Sequence, residues 1–381
     1  METFALIVFV IGCLYGLMIL AYAIGWHRLT EFKTGKNAIF PKIQVSVIVP
    51  ARNEVLKISS CLDSILEQSY PSDFLEILVV NDHSEDLTAE VVSQYASKNV
   101  LLIHLADHIA DGARLNSYKK KAIEVGVKEA SGQLILTTDA DCRVGPKWVE
   151  TIVDFYVQNG LKFIAAPVAY DREDSFFKIF QSLDFMTMQG VTGASAALQI
   201  GSMCNGANLA YDKQAFQDVG GFCGIDCIAS GDDMLLMYKM YKAFPNKIGY
   251  LKSRDAIVKT DPVDTFSDFL NQRIRWASKA DKYDDKRLTC VLALVYVWNL
   301  LLVVLFFLGF IHIHAWIWLL EAVILKTAVE LIFLIPVSRF FGKSALLIYF
   351  FPSQFLHIPY IVLSGWLGKF GTYNWKSRKV K

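Results

Sequence analysis

Three carboxylate-bearing clusters stand where apolar runs stop or start. Asn81-Asp82 follows Leu75 to Val80, Asp139-Ala140-Asp141 follows Leu134 to Thr138, and Asp232-Asp233 follows Gly231 and opens the helical pattern Met234 to Phe244. An Asp-x-Asp at a strand end can present two carboxylates to Mg²⁺ or Mn²⁺. Such ions rarely find a full protein cage and would bridge onward to ligand phosphates. A solvated turn would use the same residues. Asp232 and Asp233 suit a helix start, where carboxylates cap amides and complement the dipole. Asp233 also suits a general base, if the fold brings it near bound phosphates, where neighbouring carboxylates would raise its proton affinity. Further along, Gln272-Arg273-Ile274-Arg275-Trp276 puts Gln272, Arg275 and Trp276 at i, i+3 and i+4 on one helical face. A guanidinium fork there matches diphosphate oxygens, and an indole covers the C–H face of a sugar. The same Arg-Trp pair also suits an anchor at a membrane interface.

The elements that must position these groups can be read from periodicity. Val45 to Val49, Leu75 to Val80, Val100 to Leu105 and Leu134 to Thr138 are short β-branched runs. Helical patterns at Leu56 to Gln68, Leu87 to Ser97 and Tyr118 to Glu129 separate them. This alternation predicts an α/β domain of βαβ units around a mostly parallel sheet. Ligands bind such sheets beyond the carboxyl ends of the strands. Pro50-Ala51-Arg52-Asn53-Glu54, Asn81-Asp82 and Thr138-Asp139-Ala140-Asp141 all fall at those ends, where a nucleotide should lie.

The 381 residues leave room beside that domain for membrane segments. Hydrophobic residues make up 54% and charged residues 20%, below the globular norm of about 25% charged, so part of the chain is expected in lipid. A net charge of +1 excludes nucleic acid as the main partner. Seven cysteines show neither zinc-ligand spacing nor a disulfide framework, which fits a reducing compartment. Phe4 to Trp26 is uncharged and followed by Arg28, Lys33 and Lys36, so residues 1–27 are expected to be an uncleaved anchor leading into the cytoplasm. A polar domain at 43–285 follows, then a membrane region at 288–368 with apolar stretches Leu288 to Ile311, Ala315 to Pro336 and Ala345 to Leu367, then a basic tail at 369–381. Lys326 and Glu330 are positioned to pair, with Glu321 pointing elsewhere. Pro352 and Pro359 predict that the last stretch forms a hairpin or takes a shallow interfacial path, beside the Trp276 helix and with the basic tail in the cytoplasm, a straight span being the alternative.

Taken in order, Val45 to Glu54, Val79-Val80-Asn81-Asp82, Thr138-Asp139-Ala140-Asp141, Gly231-Asp232-Asp233 and Gln272 to Trp276 resemble the motifs of membrane-associated inverting glycosyltransferases of family 2. That group contains cellulose synthase, hyaluronan synthase, poly-N-acetylglucosamine synthase and ceramide glucosyltransferase. The resemblance implies a GT-A fold, with Asp82 on the nucleotide base and Asp139 and Asp141 around the diphosphate and a Mg²⁺ or Mn²⁺ ion. It also implies Asp233 as catalytic base, with Gln272, Arg275 and Trp276 closing the donor and acceptor sites. Pro50 belongs to the first donor-side motif. Lys119 aligns with a family lysine near the donor phosphates, although Lys119-Lys120-Lys121 also reads as a solvated face and does not separate Lys119 from Lys120. Cys204-Asn205-Gly206 resembles the acceptor-side loop, and Asp232 stands where many members have Glu. The function implied is transfer from a nucleotide-sugar, first a UDP-sugar, to a hydroxyl of a lipid-linked acceptor at the cell membrane. A processive polysaccharide synthase and a catalytically silent sugar-nucleotide scaffold are the alternatives.

Overall fold

Chain order explains the layering in the computed structural model, which describes residues 2–35, 43–110, 115–200, 203–228, 231–278, 285–370, 373–375 and 378–380. A long apolar helix, α1 (Glu2–Arg28), comes first. Strands and helices then alternate: β1 (Val45–Ala51), α2 (Ile58–Leu66), β2 (Leu75–Asn81), α3 (Thr88–Ser93), β3 (Val100–His104), α4 (Tyr118–Glu129), β4 (Leu134–Thr137) and α5 (Trp148–Asn159). After them come β5 (Phe163–Ala165), β6 (Val168–Tyr170), α6 (Phe176–Leu198), β7 (Leu209–Asp212), α7 (Lys213–Asp218), α8 (Met234–Ala243), β8 (Ile248–Tyr250), β9 (Val258–Thr260) and α9 (Phe266–Ala277). The chain closes with α10 (Lys286–Gly309), α11 (His314–Phe341), α12 (Phe350–Phe370) and a hairpin of β10 (Tyr373–Trp375) and β11 (Arg378–Val380).

Among the described residues the main sheet runs β3-β2-β1-β4-β7-β5-β8. Its first four strands are parallel, as the alternation predicts. β7 runs against both of its neighbours, β4 and β5. A parallel ladder of β6 with β9 lies beside it. Side chains alternate between two cores because the strand period is two. Ile48, Leu78, Val80 and Ile135 join an apolar cluster that continues into α1, α6, α10 and α11. Val47, Val49, Val79 and Leu136 face the other way and share a cluster with residues of α2 and α5. Burial on both faces is why these strands read as continuous apolar runs.

Among the described residues, three helical segments are long and apolar enough to cross a membrane: Thr3–Arg28, Lys286–Gly309 and Ser344–Lys369. The C-terminal end of α1 is fastened to the sheet domain. Trp26 meets Phe340 and Tyr250 edge-on at 5.5 and 6.4 Å, and Lys252 donates to the carbonyls of Trp26 and Leu29. Within α11, Lys326 pairs with Glu330 at 2.7 Å, and Glu321 is exposed. The hairpin expected at Pro352 and Pro359 does not form, since α12 is one helix from Phe350 to Phe370. Pro352 sits in the first turn, where its missing N–H had no intrahelical partner. Pro359 removes one interior hydrogen bond in a helix that is packed along α9 and α10. Both ends of this segment touch the sheet domain or its neighbours. Tyr349, just ahead of α12, meets Phe176 at 6.3 Å, Tyr360 at its middle bonds Asp184, and a Cβ on Gly368 would lie 2.7 Å from that of Ala277. Lys36 and the tail residues 371–372, 376–377 and 381 lie outside the described residues.

Candidate active site

The carboxyl ends of β1 and β2 are stapled together by the polar residues that follow them. Arg52, buried, donates to the carbonyls of Asp82 at 3.0 Å and His83 at 2.9 Å. Asn53 donates its amide to Ser84 Oγ and accepts from the amide of Glu85. The loop after β1 therefore serves as a frame. Pro50 and Asp82 stand at the strand ends on this frame and are not among the residues that line the large cleft described below. Asp82 lies 3.0 Å from His83 Nδ1, and the His83 ring meets Tyr118 edge-on at 5.6 Å. Tyr118 lines the cleft.

The three consecutive lysines at the start of α4 take different directions, because successive residues on a helix are turned by about 100°. Lys119 reaches the end of β4 and the start of α8 together, 2.7 Å from Asp139 Oδ1 and 3.2 Å from Asp232 Oδ2. Lys120 is buried and donates to the carbonyls of Ile225 and Ile228. The structure thus separates two residues that the sequence left equivalent. Burial would lower the proton affinity of Lys119, but Asp139 and Asp232 outweigh it and hold the ammonium above its ordinary value. The thiols of Cys61 and Cys142 are pushed up by burial and then by Asp141 and Asp139. Negative potential is concentrated around this Asp-x-Asp.

Asp232 and Asp233 are delivered by a tight turn. Gly231 adopts φ +79°, a left-handed conformation that side-chain-bearing residues rarely accept, and α8 begins three residues later. Asp233 caps that helix, accepting from the Met234 amide at 2.7 Å, while its other oxygen accepts from the Gly206 amide at 3.3 Å. Both expected roles, cap and cleft-facing carboxylate, are compatible in one residue. Among the described residues Asp233 makes no ion pair, whereas Asp232 is engaged by Lys119. Gly206 is packed behind this group: a Cβ there would lie 3.1 Å from Asp232 Oδ2 and 3.4 Å from Lys119 Nζ. Cys204 and Asn205 line the same wall, and Asn205 fixes the loop by accepting from the Ala207 amide.

On α9, Gln272, Arg275 and Trp276 are half-buried and all face the cleft; Arg273 is buried and borders it too, while Ile274 points inward. Arg273 was in the motif but had no assigned role. It donates to Gln272 Oε1 at 3.1 Å, lies 4.2 Å over the Trp276 ring and 4.6 Å over Phe269, and pairs with Asp184 at 2.7 Å. Asp184, on α6, has no linear signature that marks it.

These groups open onto one cleft of about 2060 Å³. One end holds Lys119, Asp139, Asp141, Asp232 and Asp233. The other is walled by apolar side chains of α1, α6, α10 and α12, among them Met18, Val191, Leu292, Val295 and Ile361. Among the described residues no cluster of three or more His, Cys, Asp or Glu could hold a metal by itself. Two carboxylates beside an ammonium nevertheless fit a hard divalent ion that takes most of its ligands from water and substrate phosphates. The charge that Lys119 brings to Asp139 marks where positive charge is accommodated.

The model of Glycosyl transferase family 2 matches residues 46–220, and that of Glycosyl transferase family group 2 matches residues 134–362, more than half of the chain. The glycosyltransferase AglE of Haloferax volcanii is 27% identical over 178 residues, covering 47% of this chain and 55% of the relative. The poly-beta-1,6-N-acetyl-D-glucosamine synthase of Staphylococcus epidermidis is 25% identical over 237 residues, covering 61% and 53%. The chain spans about half the length of these relatives. The mannosyltransferase PcManGT of Pyrobaculum calidifontis, solved with GDP-Man and Mn²⁺, superposes with a TM-score of 0.59 over 96% of this chain and 98% of its own, at 17% identity, a likeness of fold. With the family match laid over the carboxylates after β4 and before α8 and the α9 motif, which all face one cleft, the chain belongs to the family 2 glycosyltransferases, with a GT-A sheet domain flanked by helices of membrane-spanning length.

Proposed function

We propose that the chain transfers a sugar from a nucleotide-sugar, a UDP-sugar first, to a hydroxyl of a lipid-linked acceptor with inversion at the anomeric carbon, and that it does so at a membrane with the sheet domain in the cytoplasm. The observation that carries this reading is the continuity of the cleft from the carboxylates of β4 and α8 to apolar walls on α1 and α10. A hydrocarbon tail can lie against those walls while its polar end reaches Asp233. The nucleotide lies over the ends of β1 and β2, near Pro50 and Asp82, and its diphosphate meets Lys119 and Arg275. Asp141, supported by Asp139, would hold Mg²⁺ or Mn²⁺, which when bound stabilises the charge of the departing diphosphate. Asp233 takes the proton of the acceptor hydroxyl as that oxygen attacks the anomeric carbon from the face opposite the leaving group. Its two backbone N–H contacts hold the carboxylate still for that transfer. Asp232 is committed to Lys119 and is the poorer base. Gln272 and Trp276, with the Cys204-Asn205-Gly206 loop, close over the sugar.

The test is nucleoside diphosphate release by detergent-purified protein from UDP-glucose, UDP-N-acetylglucosamine and GDP-mannose, with and without a membrane lipid extract. Lipid-dependent release is expected. Asp233→Asn keeps the shape of the side chain without a usable base, so it binds UDP but turns over at least about 100-fold slower. Turnover within about tenfold of the unsubstituted protein would remove Asp233 from the role. A second reading, processive synthesis, is favoured by the Staphylococcus epidermidis relative and by a cleft larger than the ~300–1,000 Å³ usual for small ligands. Product length separates the two.

A further inference from the structure

Arg273 and Asp184 are a buried ion pair in the wall of the cleft, with side chains only 4% and 5% exposed. The Arg273 guanidinium is held by two rings, one hydrogen bond and one ion pair: it stacks on Trp276 and Phe269, donates to Gln272 Oε1 and pairs with Asp184 Oδ2. Both cleft-facing residues of the motif that it touches, Gln272 and Trp276, therefore rest on one cation. Asp184 holds that cation from α6, and its other oxygen accepts from Tyr360 and lies 3.8 Å from His357 Nε2, both on α12. The polar chain continues from His357 to Lys326, then through Glu330 to Tyr15 of α1. Buried charges of this kind are expensive to strand, and a pair of apolar residues of similar volume would hold two helices together as well or better. Mere adhesion of α6 to α9 does not need an ion pair.

We propose that Asp184 is a positioning residue for glycosyl transfer: through Arg273 it sets the pose of Gln272 and Trp276, and through Tyr360 and His357 it ties that pose to α12. The proposal rests on the reading of Trp276 as a wall of the acceptor site. Small misplacements near reacting groups are costly, on the order of 100-fold in rate for ~1 Å. A lock on the α9 face is thus expected to act on turnover and acceptor affinity and to leave nucleotide binding alone.

The test uses the full chain in detergent. Asp184→Asn alone strands the Arg273 charge and can fail to fold, so the informative variant removes both charges, Asp184→Leu with Arg273→Met. Three quantities are read: UDP affinity in the presence of Mn²⁺, hydrogen exchange of peptides covering residues 266–278, and nucleoside diphosphate release from UDP-glucose, UDP-N-acetylglucosamine and GDP-mannose with lipid extract, resolved into kcat and acceptor KM. The double variant is expected to keep UDP affinity within about threefold, to exchange its α9 amides about tenfold faster, and to lose roughly 30-fold in kcat/KM for the acceptor. Unchanged α9 exchange together with turnover within about threefold would overturn the proposal. Should the double variant not fold, Tyr360→Phe keeps both charges and removes one contact to Asp184. A rise of about threefold in acceptor KM is then expected, and no change in KM or α9 exchange overturns the proposal. Trp276→Ala run in parallel separates the two readings. If that variant turns over normally, the acceptor assignment fails; if it is impaired while the charge-free pair is not, only the role of Asp184 fails.

Discussion

Lys119 ties the end of β4 to the start of α8, because one ammonium neutralises a carboxylate from each. Replacing it with Met leaves Asp139 and Asp232 facing each other uncompensated. We expect kcat/KM for the donor to fall by about 100-fold or more, measured as nucleoside diphosphate release, with Lys119→Arg recovering part of it. The folded-state proton affinity of Lys119 lies above the ordinary lysine value, with burial opposing and the two carboxylates prevailing. Its contribution to stability is therefore complete below the unfolded pKa of about 10.4 and is lost only as pH rises past that point. Melting temperatures of the unsubstituted protein and of Lys119→Met should keep a constant difference between about pH 6 and 9. A difference that shrinks across that range would mean that Lys119 is neutral at work. Gly206 supplies a second residue-scale test, since a Val side chain there would press on Asp232 and Lys119. Turnover is expected to drop about tenfold or more while the melting temperature changes little, because the site and not the core is disturbed.

At the scale of elements, α12 is the one whose route matters most. Its length and composition suit a span, and about 20 residues suffice for one. Yet Tyr349 ahead of it, Tyr360 at its middle and Gly368 near its end each contact α6 or α9 or their flanks. Tyr360 and Gly368 hold it against α6 and α9, which belong to the 43–285 domain. We infer a shallow path along the interface. A cysteine placed near Lys379 should react only with reagents that reach the cytoplasm, and labelling from outside intact cells would establish a full span. Gly368→Leu should wedge α12 from α9 at Ala277, weakening turnover more than nucleotide binding.

For the molecule as a whole, one cleft is lined both by the carboxylates after β4 and before α8 and by the long apolar helices α1, α10 and α12. Val295 of α10 lines the apolar end, far in sequence from the carboxylates at the other. Val295→Trp should fill that end and raise KM for a long-chain acceptor about tenfold or more, with UDP affinity unchanged. Equal effects on both would mean that the apolar end is structural packing. Chelation with EDTA, or Asp141→Ala, should abolish nucleotide-sugar binding as well as turnover, and full activity in excess EDTA would remove the divalent ion from the reaction.

Local periodicity carried much of this protein. The four parallel strands, the helix Tyr118–Glu129, the long apolar segments and the carboxylates at strand ends are short-range patterns, legible because a strand repeats every two residues and a helix every 3.6. The shared cleft face of Gln272, Arg275 and Trp276 follows from the same geometry. Contacts between distant segments were decided only by tertiary structure. Lys119 and Lys120 are chemically identical neighbours, and only the packing of α4 turned one to the carboxylates and buried the other against the 225–228 loop. β7 was reversed by where α6 returns the chain to the sheet. Asp184 acquired its place because α6, α9 and α12 converge on it, and the continuity of α12 through Pro359 depends on its neighbours. Spacing encodes what one element presents to a face, whereas an ion pair between elements depends on how all of them pack.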